Sequence, residues 1–221
     1  MKKRTLLAWS SGKDSAWALH LLRQNPDIEP AGLFCTINEV AQRIAMHAVR
    51  LELLRQQVLR IGLPLHLLPI PSPCSNEQYE AVMGDFVRQA CRDGIDCLAF
   101  GDLFLEDIRR YREEKLAGSG LEPVFPLWGM ATDRLAREMI EAGLRARITC
   151  VDPKVLPAGF AGRDFDARFL ADLPEGVDPC GENGEFHTFV FDGPMFSSPL
   201  PIRGGQVVRR DGFVFADVMP A

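Results

Sequence analysis

Six residues, Ser10-Ser11-Gly12-Lys13-Asp14-Ser15, stand between the apolar run Thr5–Trp9 and a helix-patterned stretch, Ser15–Arg23. Small side chains let a backbone approach a phosphate closely. A helix start adds unpaired N–H groups and the positive end of a dipole. Lys13 contributes a point charge, and the serine hydroxyls contribute donors. Asp14 would repel phosphate, so it acts either through a divalent cation such as Mg²⁺ or by bracing the loop. A Walker A loop is excluded, because Lys13 is followed by Asp and no Gly stands five residues before Gly12. The plain alternative is a Ser/Gly turn that caps a helix. The position at the first strand-to-helix turn favours the phosphate cradle.

A second group lies near the other end, in Gly181-Glu182-Asn183-Gly184-Glu185-Phe186-His187-Thr188. Glu182 and Glu185 are carboxylates that could hold an ammonium ion and take a proton from it. Two Glu flanking Asn-Gly also fit an exposed hairpin turn. His187 is a group that can be neutral or cationic near neutral pH, or an ordinary half-buried strand residue. Between these groups runs the charge-dense Arg109–Lys115. Arg110 and Arg112 are candidates for neutralising phosphate and Glu114 for touching substrate, against the alternative of a solvated helix face. Gly101-Asp102 follows an apolar strand end, where ligands bind in α/β sheets. His47 is a candidate nucleotide contact, with packing as the alternative. Cys180 adjoins the glutamate loop and reads as structural.

The elements that must position these groups alternate. Thr5–Trp9, Pro30–Thr36, Leu65–Ile70 and Cys97–Phe100 read as strands. Ser15–Arg23, Ala45–Gly62 and Glu77–Asp93 read as helices between them. That alternation predicts an α/β fold with a parallel sheet covered by helices on both faces. The loops after Trp9, Phe34 and Phe100 are the candidate ligand-binding loops. Beyond about Val124 Pro and Gly become dense, and short strands with one helix at Asp133–Gly143 are expected. Two domains are expected, 1–124 and 125–221, the second smaller and α+β.

The 221 residues allow a sizeable core, and 47% apolar with 25% charged residues is ordinary for a globular chain. A net charge of −5 without a basic block does not favour general nucleic-acid binding. No stretch approaches a membrane span, and the apolar run before Ser10 is shorter than a signal peptide requires. The six cysteines include no C-x-x-C pair, which argues against a zinc knuckle and for reduced thiols in a cytoplasmic protein. The oligomeric state stays open.

Ser10–Ser15 resembles the S-G-G-x-D-S pyrophosphate loop of N-type ATP pyrophosphatases, with Ser11 where Gly is usual. Gly101-Asp102, Arg110-x-Arg112-x-Glu114, Pro126-Leu127-Trp128, the Gly181–Thr188 stretch and Asp192-x-Pro194-x-Phe196 resemble, in order, motifs of the diphthine–ammonia ligase family. Asn183 and His187 depart from its G-E-G-G-E-Y-E-T pattern, as in a bacterial branch whose acceptor need not be diphthine. The resemblance implies a Rossmann-like, adenine nucleotide alpha hydrolase-like first domain. It implies ATP and Mg²⁺ as cofactors, with Ser10, Ser11, Gly12, Lys13, Asp14, Ser15, Gly101, Asp102 and His47 at the nucleotide and Asp14 at the metal. Lys13, Asp14, Arg110, Arg112, Glu182 and Glu185 would be catalytic, and Glu114, Asn183, His187 and Thr188 would meet the acceptor. The implied partners are a carboxylate and ammonium, joined with release of AMP and pyrophosphate. The alternatives are a non-catalytic ATP/AMP sensor on the same fold and a tRNA-modifying relative of the pyrophosphate-loop enzymes.

Overall fold

The computed structural model describes residues 1–38, 43–44 and 49–221. The first half alternates strand and helix: β1 (Lys3–Ala8), α1 (Lys13–Gln24), β2 (Ile28–Asn38), the short β3 (Arg43–Ile44), α2 (Leu51–Ile61), β4 (Leu65–Ile70), α3 (Asn76–Arg92), β5 (Cys97–Ala99), α4 (Glu106–Leu116) and β6 (Glu122–Val124). Five strands run parallel in the order β4-β2-β1-β5-β6, and β3 pairs antiparallel with the last residues of β2. The chain winds outward from β1 through β2 to β4, then returns to place β5 on the other side of β1. The topological switch point therefore lies between β1 and β5, where doubly wound sheets open a crevice at the strands' carboxyl ends.

Burial on both faces explains why these strands read as unbroken apolar runs. Leu6 and Leu7 are neighbours on β1, point to opposite faces, and are both buried. Leu6 packs with Phe34, Phe86, Leu98 and Phe100 under α3. Leu7 packs with Leu19 of α1 and Leu54 of α2. Local signals close the helices: α3 opens on a capping box between Ser75 and Gln78, and α2 ends at Gly62 with φ +74°.

The second half contains α5 (Thr132–Glu141), β7 (Arg145–Val151), α6 (Ala167–Ala171), β8 (Phe186–Asp192), β9 (Ile202–Arg210) and β10 (Phe213–Pro220). Its four strands form a separate antiparallel sheet in the order β8-β7-β10-β9. Leu135 and Met139 of α5 and Phe189 and Val190 of β8 belong to the same buried cluster as Leu7, Leu19 and Leu54. The two sheets thus enclose one continuous core, with α1 on the seam.

The α/β fold with its parallel first sheet is as the residue pattern predicts. Three details differ. The helix expected over 45–62 is described as α2 from Leu51; residues 45–48, His47 among them, lie outside the described residues, and Arg50 holds an extended conformation. The strand expected to stop at Thr36 runs on to Asn38. A fifth parallel strand, β6, has only three residues, one of them Pro123, too short for any periodic signal.

Candidate functional site

A cavity of about 670 Å³ opens at the switch point, lined by Trp9–Ser10 and Gly12–Ser15 from the loop after β1, by Gly101 and Asp102 after β5, and by Glu182, His187 and Thr188 from the second half. Its far end is built from Thr36 and Asn38 of β2 and from Ile70–Ser72 after β4. The size is that of an ordinary small-molecule site.

The loop's shape comes from its own hydroxyls and from β8. Ser10 Oγ accepts from Gly12 N at 3.3 Å and lies 3.1 Å from Ser15 Oγ, which donates to Gly12 O at 3.0 Å. Ser11 has φ +67°, a left-handed conformation that costs a residue with a Cβ about 1–2 kcal/mol. That backbone angle accounts for the glycine usual at this position. The Ser11 hydroxyl is buried without a hydrogen-bond partner among the described residues, and its carbonyl accepts from Val190 N at 2.9 Å. Gly12, at the N-cap of α1, has no side-chain cap. The first helical N–H, that of Lys13, instead donates to Thr188 Oγ1 of β8 at 3.0 Å. Added Cβ atoms would crowd this joint: one on Gly12 would lie 3.3 Å from Thr188 O, and one on Gly101 only 3.1 Å from Asp14 C and Ser15 N.

Lys13 is 2% exposed. Its Nζ donates to both Asp14 carboxylate oxygens at 2.8 Å and to the Cys180 carbonyl, and it lies near the Phe165 and Phe186 rings. Burial opposes its charge, but Asp14, Cys180 and Asp178 together offset burial and raise the pKa above the usual lysine value. Burial likewise raises the Asp14 carboxyl, against the pull of Lys13. The ammonium thus reaches across the seam to the second half, and Lys13 and Asp14 both line the cavity.

The two glutamates point different ways. Glu182 lines the cavity, with Oε1 accepting from Leu103 N at 2.8 Å. Burial, with the negative charges of Asp14 and Asp102 nearby, lifts its carboxyl to about 7 although the Leu103 N–H pulls it down. Glu185 is 6% exposed and does not line the cavity. Its Oε1 accepts from Asp178 N at 3.1 Å and from Asn183 Nδ2 at 3.0 Å, so these residues brace the 178–185 turn. Its Oε2 has no hydrogen-bond partner among the described residues. His187 lines the cavity, and burial, helped by the Lys13 charge, lowers its imidazole to about 4, so it is neutral near pH 7. Cys180 is a buried thiol pushed up to about 12 by burial, inert as a nucleophile.

Helix α4 splits its charged run. Arg112 turns inward, stacks 4.2 Å over Phe100 and grips Asp102 through Nε at 2.5 Å and Nη2 at 3.1 Å. Arg110 and Glu114 are exposed on the helix and are not among the cavity-lining residues. Ser11, Glu185 and the exposed Asn183 also lie outside the lining. The structure therefore gathers Ser10, Gly12, Lys13, Asp14, Ser15, Gly101, Asp102, Arg112, Glu182, His187 and Thr188 at one cavity and leaves Ser11, Arg110, Glu114, Asn183 and Glu185 off it. Two of these placements have simple causes: Arg110 and Arg112 are two residues apart and face different ways on a helix, and one Glu185 oxygen is taken up by its own turn.

Sequence reasoning passed over Gln57. This fully buried side chain of α2 accepts from Trp9 Nε1 at 3.0 Å and donates to Ser11 O at 3.2 Å and Val190 O at 2.7 Å. A signal existed: Gln57 stands three residues after Leu54 and four before Ile61, on the helix's buried stripe.

Two family models match the chain. A family model described as the diphthamide synthase N-terminal domain matches residues 2–122, and one described as its C-terminal domain matches residues 131–214. Diphthine–ammonia ligase of Homo sapiens is 27% identical over 192 residues, covering 84% of this chain and 71% of the human protein. That of Danio rerio is 28% identical over 192 residues, 84% of this chain and 74% of the fish protein. Schizosaccharomyces pombe has a diphthine–ammonia ligase 28% identical over 100 residues, 41% of this chain and 16% of the yeast protein. Matched by both domain models in their proper order, the chain belongs to the diphthamide synthase family.

Proposed function

We propose that this protein is an ATP-dependent ligase that adenylylates a carboxylate and transfers ammonia to it, releasing AMP and pyrophosphate. One observation carries the reading: the N-terminus of α1, whose N-cap residue Gly12 brings no side chain of its own, and the Glu182 carboxyl face one cavity at the switch point of the sheet. A helix start among Ser and Gly suits the phosphates. A carboxyl that titrates near neutrality suits a base for ammonia. In the first step the acceptor carboxylate attacks the α-phosphate, forming a P–O bond as the α–β bridge breaks. In the second, ammonia attacks the acyl carbon, AMP leaves, and a proton passes to Glu182. The names of the human and fish relatives, which pair diphthine with ammonia, support the second substrate.

In this reading Ser10, Gly12 and Ser15 hold the pyrophosphate portion, and Asp102 positions Arg112 beside the reacting centre. Residues 1–124 hold the nucleotide and 125–221 supply the acceptor side, where His187 presents a neutral imidazole. Among the described residues no group of three or more His, Cys, Asp or Glu is arranged to hold a metal. Mg²⁺ arriving with a nucleotide needs only one or two protein carboxylates beside the phosphate oxygens, and Asp14 and Asp102, which line the cavity, would hold it. The cation would supply charge neutralisation at the phosphates. Among the described residues no helix is long and apolar enough to cross a membrane.

The test is incubation with α-labelled ATP, Mg²⁺, ammonium and either a small-molecule or a macromolecular fraction of a cell extract. AMP formation that requires one fraction and Glu182 supports the proposal. ADP in place of AMP, or turnover unchanged in Glu182→Gln, rules it out.

A further inference from the structure

The pyrophosphate loop holds an unfavourable backbone angle at Ser11, to which the Ser10 and Ser15 hydroxyls make no hydrogen bond. Ser11 sits at φ +67° with a buried hydroxyl that has no hydrogen-bond partner among the described residues. Released from its surroundings, a serine would relax toward the right-handed or extended regions, which L-residues prefer. Two contacts reach the Ser11 carbonyl, the Val190 N–H and the Gln57 amide, and Gln57 also holds the Val190 carbonyl. Its remaining amide oxygen takes the Trp9 indole N–H, at the end of the segment that leads into the loop.

We propose that Gln57 is a positioning residue for ATP: it locks Ser11 in the left-handed conformation and so fixes the phosphate-receiving loop against β8. Gln57 does not line the cavity and touches no reacting atom. Its amide matches three separate chain segments, end of β1, loop and β8, with one acceptor and two donor bonds. No other neutral side chain of that size offers two N–H donors beside an acceptor. A leucine or methionine, which the neighbouring Leu53, Leu54 and Ile61 would favour, would fill the space and leave the Trp9 N–H and the Val190 carbonyl without this partner.

The inference rests on ATP binding at this loop, and the test separates the two. ATP affinity is measured by calorimetry, and KM and kcat by AMP release, for the parent, Gln57→Met, Ser11→Gly and the double variant. Leu54→Val serves as control, since it disturbs the same helix in the core without reaching the loop. Gln57→Met, which removes all three bonds, is expected to weaken ATP binding about 10-fold or more. In the Ser11→Gly background, where glycine takes φ +67° without steric cost, the same substitution should cost less than about 3-fold. Leu54→Val should lower Tm and leave the KM for ATP unchanged. Equal losses from Gln57→Met with Ser11 and with Gly at that position would overturn the positioning role. So would a rise in KM for Leu54→Val that matches its loss of Tm. If Gln57→Met does not fold, Gln57→Glu, which keeps the Trp9 acceptor but loses amide donation, is read in the same two backgrounds. No ATP binding by the parent would remove the proposed function and this inference together.

Discussion

Glu182 and His187 are buried beside the same cavity and shift in opposite senses from their ordinary values. The Glu182 carboxyl is raised to about 7 and the His187 imidazole is lowered to about 4. If Glu182 is the base, the pH profile of kcat/KM carries an acidic limb near 7, since the carboxylate form is needed. Glu182→Gln should remove that limb and lower kcat by about 10²-fold or more, the usual worth of a positioned base, with ATP affinity kept. Retention of the limb would point to another group. The two also act oppositely on stability. A raised carboxyl favours the folded state most fully below its unfolded value of 4.5, and the contribution fades as pH rises through 7. The depressed histidine does the reverse: its contribution is full above 6.5 and is lost as pH falls toward 4. Denaturant titrations of His187→Gln should therefore show the variant gaining on the parent between pH 6.5 and 4. A constant difference across that range would contradict a neutral buried imidazole. At this scale the residue pattern presents both glutamates and both arginines as equals. What separates Glu182 from Glu185 is the 178–185 turn, which claims one of them. What separates Arg112 from Arg110 is the direction of α4, whose single buried residue, Leu116, leaves no apolar stripe to phase the helix.

The elements meet more closely than their spacing in the chain implies. Gly101 follows β5 and touches the backbone of Asp14 and Ser15 at the start of α1. Gly101→Ala would place a methyl 3.1 Å from those atoms, so the start of α1 would have to shift by a few tenths of an ångström. The expected result is a KM for ATP raised about 10-fold with modest loss of Tm, because small displacements of a phosphate cradle are costly. An unchanged KM would show that β5 and the loop can part freely. The parallel strands were legible because each is an apolar run bounded by turn residues and buried on both faces. β6 was not, since a three-residue strand containing proline carries no pattern, and its pairing is decided by β5 alongside it. Nor could spacing show that Thr188, 175 residues away in the chain, supplies the hydroxyl that takes the first N–H of α1. Such a cap is tertiary, and only the packing of β8 against the loop creates it.

For the whole molecule, the change of composition near Val124 marks a change from parallel to antiparallel architecture, yet the core does not divide there. Leu7, Leu19 and Leu54 share one cluster with Leu135, Met139, Phe189 and Val190. Thermal unfolding is expected as a single transition, with calorimetric and van't Hoff enthalpies in agreement. Residues 1–124 expressed alone should expose the core-facing side of α1 and aggregate or bind an apolar dye. Two resolved transitions, or a monomeric, ATP-binding fragment, would refute that expectation. The reach of Lys13 to the Cys180 carbonyl, alongside the Thr188 cap, has a bearing on inheritance and on engineering. The joint between the two halves runs along β8 and not through the linker in the chain. A recombinant that takes its front from one relative and its back from another inherits a nucleotide loop finished by foreign residues. Variation at the 180–190 segment and at the loop is therefore expected to be tolerated in pairs and resisted singly, so new acceptor preferences would have to arise without loosening the seam.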